Sequence, residues 1–248
     1  MKKFFFLSLA LILSLPAFAR EVTVGVFVHA PHVYKNETDD GAYGPAIDYV
    51  SQVMAEMGYE PVYRLLPLSR VLLYLKDGQI DLSLEIAKTP EREEYAYFSD
   101  EPVYVMVPSL TVLATNKIDR IDGVDDLSGM KIGFLGGAAI PSFFDSAKSV
   151  VFESVSGDSW IRQNLARLLA GRIDAAMDMN AYSYREEAKR QGVESKIKTL
   201  RIPGEETRFY VAFSKASAKA VTLLERYNAV VKADGYDEQK MIDDFIAR

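Results

Sequence analysis

The chain reads as an α/β protein of two parallel-sheet lobes joined by two crossing segments, and three features carry that reading. Strands and helices alternate with short connections, the pattern of parallel sheets covered by helices. An eight-residue unit recurs: Gly78-Gln79-Ile80-Asp81-Leu82-Ser83-Leu84-Glu85 returns as Gly171-Arg172-Ile173-Asp174-Ala175-Ala176-Met177-Asp178. Two extended segments, Val103 to Ala114 with Pro108 inside it and Pro203 to Thr207, interrupt the alternation and let the tail rejoin the first lobe. A proline in such a run argues against a central strand.

The first residues predict a leader. Lys2 and Lys3, an apolar run from Phe4 to Leu15, then Pro16 and Ala17-Phe18-Ala19 match a charged n-region, an h-region and an A-x-A cleavage site. That run is shorter than the ~20 apolar residues a spanning helix needs. Residues 1–19 are therefore read as a signal peptide, 20–108 and 206–248 as lobe 1, and 109–205 as lobe 2. The net charge is −6 and falls further when Lys2 and Lys3 are removed. Such a balance disfavours nucleic acid or anionic lipid as partners. The sequence has no cysteine, which excludes disulfides, thiol catalysis, thiolate metal sites and a lipid-modified cysteine anchor. The expected location is the periplasm.

Taken in order, Glu21 to Val28 is a strand, followed by a loop carrying His29, Pro31, His32 and Tyr34. Gly44-Pro45 starts an amphipathic helix with Ile47, Val50, Val53, Met54 and Met57 on one face and Gly58 at its end. Glu60 to Leu66 is a strand, and a helix from Leu68 turns Val71, Leu72 and Leu75 inward before Gly78 stops it. Ile80, Leu82 and Leu84 then alternate with Asp81, Ser83 and Glu85, the period of a strand. Thr89-Pro90 is a helix start, so Arg92 falls in a first turn whose dipole favours an anion. Its guanidinium is a two-pronged donor matched to a carboxylate.

Beyond the first crossing, Lys131 to Leu135 is a strand, Gly136-Gly137 a turn, and Ile140 to Ala147 a helix. Val150 to Val155 is a strand, Asp158 to Leu169 a helix burying Ile161, Leu165 and Leu168, and Ile173 to Met177 a strand. A charged helix spans Ala181 to Gln191, and Ile197 to Ile202 closes the set. After the second crossing, Phe209 to Phe213 returns as a strand, and two amphipathic helices split by Asp234-Gly235 finish the chain. Ligands of open α/β sheets bind beyond the carboxyl ends of the strands. If the lobes face each other, Glu85 and Asp178 look into one cleft from opposite walls.

Several residues have two readings. Arg92 either holds an anion or pairs with Glu91, Glu93 or Glu94. Glu85 either meets a cationic group of a ligand or pairs with Lys88 or Arg92. Arg70 either faces solvent or forms a second anion clamp. Phe27, His29, Tyr34 and Tyr104 are candidates for cleft contacts; Trp160 can also line a cleft but reads first as helix packing. His29 and His32 lack the further ligands of a known metal motif, so neither a metal nor a cofactor is expected. No G-x-S-x-G elbow supports serine-hydrolase chemistry.

The stretch Gly78-x-x-Asp81-Leu82, Thr89-Pro90-Glu91-Arg92, Phe98-Ser99 resembles the signature of the bacterial extracellular solute-binding proteins of family 3, the periplasmic amino-acid-binding receptors of ABC transporters. The resemblance implies the type II periplasmic binding protein fold, a monomer, a small-molecule ligand and an ABC permease as partner. It implies that Arg92 holds the ligand's α-carboxylate and that Asp178 stands near the family's amino-group aspartate. The spacing after Asp174 is one residue short, so Asn180 or Met179 can occupy that place instead. Leu68 stands where the family usually packs an aromatic ring over the ligand, with Arg70 close by. Gly136-Gly137-Ala138-Ala139 replaces a G-T-[ST] loop, keeping its backbone donors and losing both hydroxyls. Ala87 likewise stands in place of a ligand-binding threonine. These departures point away from ordinary α-amino-acid recognition. The same resemblance leaves two rivals to a transport receptor without catalysis: a ligand-sensing subunit for a membrane receptor, and an enzyme like cyclohexadienyl dehydratase with Glu85 or Asp178 as general acid.

Overall fold

The computed structural model describes residues 20–38 and 41–247. The expected leader, residues 1–19, lies outside the described residues. The first lobe begins with β1 (Arg20–Val26), a small ribbon of β2 (Tyr34–Lys35) and β3 (Ala42–Tyr43), and helix α1 (Pro45–Glu56). It continues through β4 (Tyr59–Leu65), α2 (Leu68–Lys76), β5 (Leu82–Ala87), the single turn α3 (Pro90–Glu93), β6 (Ala96–Phe98) and β7 (Tyr104–Met106). The second lobe holds β8 (Ser109–Leu113), β9 (Lys131–Leu135), β10 (Val151–Val155), α4 (Trp160–Leu169), β11 (Ala175–Asp178), α5 (Ser183–Arg190) and β12 (Ile197–Arg201). The chain returns through β13 (Thr207–Ser214), α6 (Ala220–Asp234) and α7 (Glu238–Ile246).

The sheets have matching orders, β4-β1-β5-β13-β6 (β7 also pairs with β13) and β10-β9-β11-β8-β12. The first three strands of each are parallel. The fourth, β13 or β8, is antiparallel to its neighbours. The sheets are thus mixed rather than wholly parallel. Each fourth strand arrives directly from the other lobe, without the helical crossover whose geometry imposes parallel pairing. Pro108 lies between β7 and β8, so the first crossing is only Val107-Pro108 and the flanking residues pair as strands.

Two further expectations change. In place of a helix over Ile140 to Ala147 there is a 3-10 turn, Ser142–Phe144, held by edge-on packing of Phe144 against Phe143 and Phe152. All six residues of β5 are buried, Ser83 and Glu85 included. Its alternation therefore does not separate core from solvent. β5 lies between β1 and β13 with apolar packing on both faces.

The repeated unit has one physical meaning. Asp81 N donates to Thr23 O at 2.9 Å, and Thr23 N donates back to Asp81 Oδ2 at 2.9 Å. Asp174 and Lys131 exchange the same two bonds at 2.8 Å each. One side chain thus extends the ladder to the neighbouring parallel strand at the point where each central strand begins. Glycines complete the unit. An added Cβ at Gly25 in β1 would lie 2.4 Å from Ile80, and one at Gly133 in β9 would lie 2.7 Å from Ile173. Ile80 and Ile173 are themselves equivalent positions of the repeat.

One apolar cluster lies under α1 and α6, around Val24, Val50, Met54, Leu82 and Phe213. Another fills the second lobe around Leu110, Ile132 and Met177. A third contains Phe27, Leu68 and Ile86 from the first lobe with Leu135 and Trp160 from the second, so the lobes pack against each other.

Candidate functional site

The site is built around a kink in β5. Leu84 and Glu85 together oppose the single residue Val211 of β13, a β-bulge. Glu85 takes φ 52° there, a left-handed conformation that a non-glycine residue holds at a cost of about 1–3 kcal/mol. The bulge breaks the two-residue alternation and re-aims the Glu85 carboxylate.

That carboxylate meets two histidines from the loop after β1. Glu85 Oε2 lies 3.7 Å from His29 Nδ1, and Glu85 Oε1 contacts His32 Nδ1. His29 Nε2 lies 3.6 Å from Asp178 Oδ1 at the end of β11. The imidazole of His29 therefore stands between the two acidic ends of the repeated units. Rings fix it from both sides: Phe27 stacks on His29 at 5.7 Å, His29 on His32 at 5.0 Å, and Tyr104 meets His32 edge-on at 4.3 Å.

Charge follows from these contacts. Burial opposes a charged His29, but Asp178 and Glu85 outweigh it and raise its pKa to about 10. Burial lowers the pKa of His32. Burial alone would raise Glu85, yet the flanking His32 and His29 hold it below the usual carboxylate range. Glu238, in the first turn of α7, is 1% exposed, and burial followed by the Glu85 charge pushes it well above that range.

Arg92 stands on the other side of the cleft. Its backbone N–H is capped by Thr89 Oγ1 at 3.3 Å, and its side chain turns inward, 7% exposed. The guanidinium donates to Ala87 O and, across the lobes, to Gly137 O, both at 2.7 Å. Among the described residues no carboxylate lies within 4.0 Å of it. Glu93 pairs instead with Lys88 at 3.1 Å. Burial lowers the Arg92 pKa. Both surface alternatives, Arg92 with its glutamate neighbours and Glu85 with Lys88 or Arg92, are therefore replaced by inward contacts.

Between these groups lies a cavity of about 40 Å³, open to the centres of roughly three waters at 10–15 Å³ each. Phe27, His29, Leu68, Glu85, Ala87, Arg92, Ala138, Ala139 and Asp178 line it. Five other residues with predicted roles do not. Arg70 is exposed on α2. Tyr34 stacks with Tyr43 at 5.3 Å and packs against Phe245. Tyr104 is withheld behind His32. Gly137 offers its carbonyl to Arg92 rather than N–H groups to a ligand. Asn180 reaches Ala30 O and His29 Nε2 at 3.4 Å while its Oδ1 caps the start of α5. A wider groove of about 440 Å³ adjoins the cavity at Ala87 and Ala139 and opens past Lys88, Ile140 and Glu205.

Sequence reasoning missed Phe134, Met177 and Phe209 in the lining, whereas Trp160 and Met179 are among its alternatives. Trp160 packs in α4 as expected but also faces the cavity, and its indole N–H donates to Val28 O across the lobes at 3.0 Å. Phe134, Met177, Met179 and Phe209 make most of the wall apolar. They sit at the carboxyl ends of strands or at the second crossing, where topology alone could have marked them.

The sequence profile of the bacterial extracellular solute-binding proteins, family 3, matches residues 22–244. Three solved structures show the same fold. An amino acid ABC transporter substrate-binding protein, AbpA from Streptococcus pneumoniae, bound to L-arginine, is 20% identical with a TM-score of 0.74, covering 92% of this chain and 94% of its own. An ABC uptake transporter substrate-binding protein from the same organism, with bound histidine, is 20% identical with a TM-score of 0.72, covering 92% and 93%. The arginine-, lysine-, histidine-binding protein ArtJ from Geobacillus stearothermophilus is 18% identical with a TM-score of 0.71, covering 92% and 96%. A sequence search of curated proteins finds no match.

Proposed function

The chain belongs to the bacterial extracellular solute-binding proteins, family 3, and from that premise we propose that it captures a small carboxylate-bearing solute between its lobes and delivers it to an ABC permease. The observation that carries this reading is Arg92: a buried guanidinium with no acidic partner, bonded to carbonyls of both lobes. An uncompensated buried cation is costly, and an incoming carboxylate relieves it. Glu85 and Asp178 already hold the imidazole of His29, so the ligand need not be a cation. The aromatic and thioether lining suits an apolar body. The best fit is an amino acid or related monocarboxylate with an apolar side chain. Opening admits the solute, and contacts to both lobes favour closure. Binding occurs without turnover, in the periplasm, by a monomer.

The test is calorimetry with apolar amino acids and the matching monocarboxylates, on wild type and Arg92→Ala. Arg92→Ala is expected to weaken the best ligand about 100-fold or more, and the ligand should be recovered unchanged. Wild-type affinity in Arg92→Ala would overturn the assignment.

A further inference from the structure

We propose that His32, Glu85 and Glu238 bind a divalent first-row transition-metal ion just behind the cleft. Their ligand atoms lie within 4.8 Å of one another. The three residues are 0%, 2% and 1% exposed, and they come from the loop after β1, the bulge of β5 and the first turn of α7. His32 Nε2 finds no hydrogen-bond partner, Glu238 faces only the like-charged carboxylate of Glu85, and neither side chain is in contact with water. Buried polar atoms are nearly always satisfied, so such a cluster calls for a partner.

The donor set identifies its class. Two carboxylates balance the charge of a dication, and an imidazole nitrogen favours Zn²⁺, Fe²⁺ or Ni²⁺ over Mg²⁺ and Ca²⁺, which prefer oxygen alone. Zn²⁺ takes such ligands at about 2.0–2.2 Å, which needs small inward rotations of the side chains. The His29 stack and the Tyr104 edge already orient the His32 ring, the work that outer contacts perform around metal-bound histidines. The ion would pin α7 to β5 while leaving Glu85 Oε2 towards His29. Chain distance hid the set: the two histidines are close in sequence, but Glu238 lies near the opposite end.

The site rests within one lobe and needs no solute, so its failure would leave solute capture standing. The test uses the untagged full chain, stripped with EDTA, dialysed and loaded with ZnCl₂. One zinc per chain should survive gel filtration, and the melting temperature should rise by several degrees. MgCl₂ and CaCl₂ should give no rise. Glu238→Gln and His32→Gln should each weaken zinc binding 100-fold or more. No retained zinc, or zinc held equally by both variants, would overturn the site and leave a proton-sharing polar cluster. Should the variants fail to fold, Co²⁺ absorption of the wild type decides. A low-symmetry visible band is expected, and the spectrum of the free hydrated ion would overturn the proposal.

Discussion

The two lobes are variations on one plan. Both order their strands identically, both tether the central strand with an aspartate, and both set a glycine against the isoleucine before it. They diverge in what is added. The second lobe has a 3-10 turn where the first has α1, and Asp178 ends a regular strand with one short bond from Met179 N at 2.7 Å. In the first lobe the equivalent Glu85 occupies a bulge at left-handed φ, backed by two histidines and by α7. The repeat therefore builds scaffold, and the chemistry collects where the repeat is broken.

Matched substitutions test that division. Asp81→Ala should cost about 3 kcal/mol, because it strands Thr23 N–H and the half-buried Ser217 hydroxyl, while the exposed Lys219 ammonium adds little. Asp174→Ala, at an exposed position with the one tether, should cost about 1 kcal/mol by urea unfolding. Equal losses would show that the extra partners of Asp81 add nothing. Next in size are the glycines. Gly133→Ala drives a Cβ to 2.6 Å from the buried Asn164 amide as well as onto Ile173, and about 2–3 kcal/mol of overpacking is expected. Gly25→Ala meets chiefly the flexible tip of Ile80 and should cost about 1 kcal/mol.

Acid gives the smallest signal. Burial would raise the Asp81 pKa, but Ser217, Thr23 and Lys219 together lower it. A depressed folded value means that its contribution is present above about pH 4, the unfolded range, and disappears as pH drops through the folded one. Thermal melts from pH 5 to pH 2 should therefore fall more steeply for wild type than for Asp81→Asn. Parallel curves would remove Asp81 from the acid response.

Much of this was legible in the residues. Period and punctuation located most strands and helices, Thr89-Pro90 marked the turn that carries Arg92, and the eight-residue repeat pointed to Glu85 and Asp178 as equivalent ends. The missing parts depend on pairing across long stretches of chain. The bulge exists only because β13 pairs with β5 out of step, which no local pattern in β5 records. Glu238 reads as an ordinary first-turn acid until α7 docks. His29 reads as a cleft candidate, but its place between the two carboxylates appears only once the lobes pack. Trp160 has a helical stripe position, which favours packing over its cleft reading, yet its ring does both.

Three of the bonds that join the lobes share one trait: a side chain gives and a peptide carbonyl receives. Arg92 gives to Gly137 in one direction, while Trp160 and Ser183 give to Val28 and Ala30 in the other. Carbonyls are present whatever residue bears them, so mutation on the receiving side leaves the fastening chemically intact. When the halves part, water takes over each freed oxygen, and the net loss per bond is only about 1 kcal/mol. These three grips thus release easily and are disabled only from the donor side, unlike the side-chain pairs Lys35–Asp158 and His29–Asp178, which either lobe can lose.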